Sequence, residues 1–222
     1  MLLAVDTSTQ TIGLAVYDGV QVLGEMHWRT ATHHTVELAP AVDELMTRCN
    51  VKPVELKALG CALGPGSFTS LRIGLAFAKG LAVSLKIPML GIPTFEYLVA
   101  TQPLADHPLA AVLPAGRGRL AVGWYHNVED KWRSSDEPII MTAEALSAQI
   151  EQPTIIVGEM DAEERQTLSR KWKNALVASP AQCVRHPGML AELAWARFKA
   201  GEQDEPVSLA PIYLHVNEAI PD

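Results

Sequence analysis

The sequence predicts an α/β fold that opens on a lobe of the kind that handles nucleotides, and three observations carry that prediction. The run Leu2-Leu3-Ala4-Val5-Asp6-Thr7-Ser8-Thr9 reads as a buried strand ending on a carboxylate and hydroxyls. Asp18-Gly19 lies between two β-rich runs, residues 12–17 and 20–25, which is the strongest local hairpin signal. Gly64-Pro65-Gly66-Ser67-Phe68-Thr69-Ser70-Leu71-Arg72-Ile73-Gly74 reads as a glycine-rich turn that opens a helix.

The elements follow in order. Residues 2–5 and the hairpin make three consecutive strands. A helix is expected from Thr32 or Thr35 to Arg48, because Leu38, Val42, Leu45, Met46 and Cys49 recur at three- and four-residue spacings. Pro40 must lie in its first turn or kink it, since proline lacks an amide donor. A short apolar strand at 58–63 leads into the glycine turn. The next helix starts at Ser67 or Thr69, either a good cap, and ends near Leu85, ahead of Ile87-Pro88. It carries Gly74 and Gly80, each costing about 1 kcal/mol relative to alanine, which points to another backbone packed closely against it. A strand at 89–92 and a helix capped by Thr94, running to about Ala100, complete this part.

Residues 102–108, with two prolines and two charges, mark the lobe boundary, giving lobes 1–104 and 105–222. Beyond it strands are expected at 109–113, 120–125 and 154–158. Helices are expected at 142–152, 161–173 and 188–200, the last able to pack back on the first lobe. No internal sequence repeat is evident.

Composition bounds the function. The 222 residues are 48% hydrophobic, enough for a real core. The longest apolar segment, 71–85, is interrupted by Arg72 and Lys79, so no transmembrane helix is expected. The start lacks a basic leader, and Cys49, Cys61 and Cys183 form no C-x-x-C pair; both fit a reducing cytoplasm. The net charge is −7 and the 18 Lys and Arg are scattered, whereas a protein gripping nucleic acid alone shows a basic patch. Any RNA is therefore held mostly by a partner.

Each chemical motif has a bland reading beside the sharp one. Asp6, Thr7, Ser8 and Thr9 can hold a metal-bound phosphate, or they form a polar connection with an Asx turn, and taken alone the second carries more weight. Gly64, Gly66 and Ser67 can cradle an anion at a helix start, or simply form a tight turn. No Walker lysine follows. The adjacent His33 and His34 diverge, and Glu37 and Leu38 occupy the positions four residues on, so no metal pair is formed. Ser67 lacks a G-x-S-x-G context and evident partners for nucleophilic work.

The block from Gly64 to Ala82 resembles the TsaB (YeaZ) family, whose usual form is G-P-G-S-F-T-G-L-R-I-G followed by a small-residue helix. Ala4-Val5-Asp6-Thr7-Ser8, residues 34–45 with Pro40 and Asp43-Glu44-Leu45, and Pro211-Ile212-Tyr213-Leu214 are also similar to it. The resemblance is strong over residues 1–100 and thinner beyond. It implies a two-lobe fold of the actin, sugar-kinase and Hsp70 type, with ribonuclease H-like mixed sheets flanked by helices. It also implies a non-catalytic subunit in making the threonylcarbamoyladenosine beside the tRNA anticodon. The transfer is done by a homologous partner, TsaD, and an ATPase, TsaE, joins them. On that reading Asp6, Thr7, Ser8, Gly64, Gly66 and Ser67 are a vestigial phosphate loop with no cofactor. His34, Leu38, Val42, Leu45, Leu71, Arg72, Leu75 and Ala78 line the partner seam, tRNA is met indirectly, and the chain forms a homodimer when alone. The rival readings are a small kinase or ATPase of the same fold built on Asp6, and a peptidase. The chain departs from the family pattern at Ser70, at Leu113-Pro114-Ala115-Gly116-Arg117 and at His215.

Overall fold

The computed structural model describes residues 1–30, 33–171 and 173–214. It divides into two units. Met1–Tyr97 with Arg185–Ile212 forms one, and Leu98–Val184 with the last described residues, Tyr213 and Leu214, forms the other. The expected linear boundary at 104/105 therefore gives way to a chain that leaves the first unit after Tyr97 and returns at Arg185.

The first unit is built on a five-stranded sheet. Its strands are β1 (Leu2–Asp6), β2 (Thr11–Tyr17), β3 (Val22–Arg29), β4 (Ala58–Gly64) and β5 (Met89–Pro93), in the order β3-β2-β1-β4-β5. β1 pairs antiparallel with β2 (Leu3↔Val16) and parallel with β4 (Leu3↔Leu59). A strand covered on both faces reads as an unbroken apolar run, which is why Leu2 to Val5 shows no polar alternation. Successive side chains still divide between the faces. Leu3 and Val5 pack with Leu38, Val42 and Leu45 of α1 (His34–Arg48) and with Leu75 and Ala78 of α2 (Phe68–Leu85). Leu2 and Ala4 pack with residues 190, 191 and 194 of the last helix, Pro187–Lys199. That helix comes very close: a Cβ added at Gly60 would lie 2.9 Å from the Ala194 methyl.

Several expectations need correction. The Asp18-Gly19 turn spans residues 18–21, with Asp18 Oδ1 accepting from the Val20 and Gln21 amides (both 2.7 Å) and positive φ only at Gly19. The returning strand accordingly starts at Val22. Pro40 lies inside α1, past its first turn; Thr32 falls outside the described residues. Ser67 is the α2 cap, accepting from the Ser70 amide. Gly74 meets the Thr7 side chain rather than a backbone, and nothing lies within 4 Å of a Cβ at Gly80. Despite Arg72 and Lys79, α2 is long and apolar enough to cross a membrane by length and composition. Its packing against β4 makes it a core helix of this unit, with Leu71, Gly74, Leu75, Ala78 and Ala82 buried.

α3 (Thr94–Ala100) carries the chain onward. The second unit holds β6 (Leu109–Gly116), β7 (Arg119–Val128), β8 (Lys131–Ser134), β9 (Ile139–Met141), β10 (Thr154–Gly158) and β11 (Ala175–Val177). Its sheet order is β11-β10-β6-β7-β8, with β9 also on β7. Of these, β8, β9 and β11 are short and were not expected from the sequence. The helices are α4 (Ala143–Gln149) and α5 (Ala162–Ser169). Leu146 and Leu168 from them close over Ala110, Val112, Leu120 and Val122. The helix Pro187–Lys199 is α6.

The two sheets share one plan. In each, a central strand has two antiparallel neighbours in succession on one side and two parallel strands on the other. The topological repeat exists although the sequence shows none.

Candidate functional site

The carboxyl end of β1 brings the expected phosphate-loop residues together. Asp6 ends the strand with its side chain wholly excluded from solvent, and Thr7, Ser8 and Thr9 are buried as well. Asp6 Oδ1 accepts from the Ser8 amide at 2.8 Å, the Asx turn of the bland reading. Asp6 Oδ2 accepts from Arg185 Nε at 2.9 Å, and Arg185 Nη2 donates to the Thr9 hydroxyl at 3.1 Å. Burial alone would push the Asp6 carboxyl up. The Arg185 charge and the Ser8 hydrogen bonds outweigh it and hold the group below the usual carboxylate range.

The glycine turn is joined to the same strand end. The Ser67 amide donates to the Ser8 carbonyl at 2.6 Å, and the Thr7 hydroxyl donates to the Ser70 carbonyl at 2.7 Å. A Cβ at Gly66 would collide with the Ser8 carbonyl oxygen, and one at Gly74 with Thr7 Oγ1. The glycines thus let the turn lie on β1, not on an anion. The Ser8 hydroxyl pairs with Thr94 Oγ1 at 2.8 Å and reaches the Tyr97 hydroxyl at 3.5 Å. Burial, together with the Asp6 charge, puts the Tyr97 phenol well above its ordinary value.

A metal–nucleotide does not fit this strand end. A hard cation needs several free oxygens and open coordination positions. Here a guanidinium already lies on the carboxylate and the Thr9 hydroxyl, and the turn amide of Ser67 is spent on Ser8. Among the described residues no group of three or more His, Cys, Asp or Glu is placed to hold a metal. Arg185 is the residue that sequence reasoning missed. It lies 179 residues from Asp6, and nothing local distinguishes it from a surface arginine.

The expected partner-seam residues fall elsewhere. Leu38, Val42, Leu45, Leu71, Leu75 and Ala78 are buried within the first unit, as is His34, so they are not surface. A stripe at helical spacing looks the same whether it covers its own sheet or a second protein, and here the sheet takes it. Arg72 alone is exposed, stacked over the Phe68 ring at 3.7 Å. The outward faces carry a different apolar set: Val36 on α1, and Phe68, Ala76, Gly80 and Val83 on α2, with Phe68 52% and Val83 67% exposed. His34, the first residue of α1, has its Nε2 atom buried without a hydrogen-bond partner. Burial lowers the His34 pKa, against the opposing effect of its hydrogen bond to the Thr9 backbone.

This sheet plan, repeated twice and with an acidic residue closing the first strand, defines an α/β protein of the actin, sugar-kinase and Hsp70 class. Solved structures agree. One from Pseudomonas aeruginosa, described as an uncharacterized protein with similarity to peptidase YEAZ, superposes with TM-score 0.77 at 23% identity, covering 96% of this chain and 99% of the other. More distantly, component A of (R)-2-hydroxyglutaryl-CoA dehydratase from Acidaminococcus fermentans gives 0.51 at 10% identity, covering 90% and 99%. The family model for TsaD, tRNA N6-adenosine threonylcarbamoyltransferase, matches residues 28–183. The tRNA threonylcarbamoyladenosine biosynthesis protein TsaB of Bacillus subtilis (strain 168) is 29% identical over 222 residues, spanning 98% of this chain and 95% of its own length. The chain belongs to the TsaB (YeaZ) family, a relative of TsaD.

Proposed function

We propose that this chain is the non-catalytic TsaB-type subunit of the assembly that forms threonylcarbamoyladenosine on tRNA. It pairs with a TsaD-type transferase, and a TsaE-type ATPase joins the pair. The observation that carries the reading is the contrast between a strand end occupied by Arg185 and an outward α2 face that is apolar apart from Arg72, stacked on Phe68. The first argues against a kinase, ATPase or peptidase built on Asp6. The second supplies a docking surface. Gly80, open to solvent with nothing near its Cβ position, lets a partner helix approach closely, which explains a glycine that the unit's own packing does not require. The face of Phe68, Ala76, Gly80 and Val83 replaces the inner stripe as the seam. Without its partner the same face takes a second copy of the chain. The acidic balance suits a cytoplasmic subunit that meets tRNA through its partner.

Co-expression with the TsaD-type protein of the same genome tests this. The wild type should elute as a heterodimer in size-exclusion chromatography with light scattering. Val83→Arg should fold normally yet lower affinity at least about tenfold, because a charge buried in the seam is left unpaired. The isolated chain should neither turn over ATP nor modify tRNA. Intrinsic transferase activity in it would overturn the assignment.

A further inference from the structure

Residues 201–212 belong to no helix or strand, yet they are tied along the first unit at three places. At the first, the Asp204 amide donates to the Met89 carbonyl at 2.8 Å, and Asp204 Oδ2 accepts from the Gly91 amide at 2.7 Å. β5 is an edge strand, so this stretch supplies partners that a neighbouring strand would otherwise supply. At the second, Leu209 packs against the core that holds Leu63, Leu75, Ala78 and Met89. At the third, the Ile212 amide donates to the Leu63 carbonyl at 2.7 Å. The Ile212 carbonyl oxygen and Leu71 Cδ1 each lie 2.9 Å from the position of a Cβ at Gly64, so this tie rests against the first turn of α2.

Arg197 of α6 is the latch. Its Nη1 donates to the Gly91 carbonyl at 2.7 Å, and Nη1 and Nη2 meet the two Asp204 carboxylate oxygens at 3.2 and 3.1 Å. Its Nε donates to Glu202 Oε2 at 2.8 Å. The planar fork joins helix, strand and strap at once, which a lysine's point charge does not reproduce. The Arg197 and Asp204 side chains nevertheless stay 32% and 22% exposed, and Val207 and Ile212 of the stretch are exposed too. Gly201, at φ +81°, has open space around it. A segment held by solvent-accessible polar contacts opens at a lower free energy than the core it lies on.

We propose that residues 201–212 are a strap, latched by Arg197, whose closed form holds α2 in the position that docks the partner. Arg197 is a positioning residue that acts through the strap. The proposal rests on the docking role of α2 given above and adds what controls it. Since the closed form is the one that pairs, apparent affinity scales with the fraction closed. By linkage, the partner must close the strap as much as the strap favours the partner.

Hydrogen exchange on the full-length chain, alone and with the TsaD-type protein of the same genome, tests this beside binding kinetics. In the wild type the amides of residues 91, 204 and 212 should be protected. Arg197→Met should bring all three close to the open-chain exchange rate while the amides of β1 stay protected. It should also lower affinity about three- to tenfold through slower association, because a strap that must close first leaves dissociation of the closed complex unchanged. Saturating partner should restore protection at the three amides. Asp204→Ala, which removes the strap's half of the latch, should reproduce each effect, and it decides should Arg197→Met fail to fold. Lost protection with unchanged affinity overturns the proposal. So do an affinity loss carried by faster dissociation, unchanged protection in the variants, and a saturating partner that leaves the strap open. A wild type that fails to pair at all defeats the functional reading and this proposal with it, whereas a wild type that pairs no better than the variants defeats this proposal alone.

Discussion

The two units follow one sheet plan but end their central strands differently. In the first, β1 runs out on a buried carboxylate, and the turn after β4 folds back onto it through the Ser67 amide. In the second, β6 ends on Pro114, Ala115 and Gly116 and passes through a tip with positive φ at Gly116, Arg117 and Gly118. Both keep a left-handed glycine at the end of the adjacent parallel strand, Gly64 at φ +103° and Gly158 at φ +128°. In each, an added Cβ would press on a carbonyl oxygen, that of Ile212 or of Val112. The same backbone requirement thus recurs in both places. α2 starts with no acidic residue in its first turn, whereas α5 starts with Glu163 and Glu164. Acidic side chains at a helix N-terminus occupy the field that would favour a phosphate. In the first unit a guanidinium lies on the strand-end carboxylate, and in the second the helix start carries carboxylates of its own.

Substitutions can sharpen that contrast. The largest effect is expected at Asp6. Asp6→Ala leaves the Arg185 charge buried without its carboxylate and should cost about 3–5 kcal/mol in urea unfolding. In the second unit the acidic residue Asp161, which holds the place of Ser67 in the sheet plan, caps α5 by accepting from the Glu164 amide at 2.8 Å. Asp161→Ala should cost only about 1 kcal/mol. Equal losses at the two sites would erase the distinction.

A pH effect within the first unit should come next. The pKa of His34 is lowered by burial, so the folded state binds fewer protons there than the unfolded chain. Its contribution to stability is therefore full above the ordinary histidine value of 6.5 and is lost as pH falls through that value. Thermal midpoints between pH 7.5 and 5.5 should fall, and His34→Gln should flatten the slope. An unchanged slope would remove His34 from the account. Asp6, with its pKa lowered, adds stability that is lost only below its unfolded value of 3.8, so the two groups act in separate pH windows.

The smallest effect has the opposite sign. Gly80→Ala should stabilise the isolated chain by up to about 1 kcal/mol, since helix propensity improves and nothing obstructs the methyl group. It should at the same time weaken the heterodimer. Tighter pairing in the variant would mean that Gly80 does not mark the seam.

Much of the first unit was legible in advance. β1, the helix capped at Ser67 or Thr69 and the strand at 89–92 announce themselves through runs and caps a few residues long. The second unit was less so, because β8, β9 and β11 span four residues or fewer and carry no periodicity to read. At the candidate site, the sequence placed Asp6, Thr7, Ser8, Gly64, Gly66 and Ser67 in one neighbourhood and could not say what they bind.

By itself, then, the sequence determined the succession of strands in the first unit, two candidate caps for α2 and which helices carry an apolar stripe, because those depend on neighbours a few residues apart. Only the tertiary structure decided that the stripe covers the unit's own sheet, that Gly80 faces outward, and that a guanidinium 179 residues along the chain closes on Asp6. Those outcomes arise from contacts between distant segments, and no local spacing encodes them.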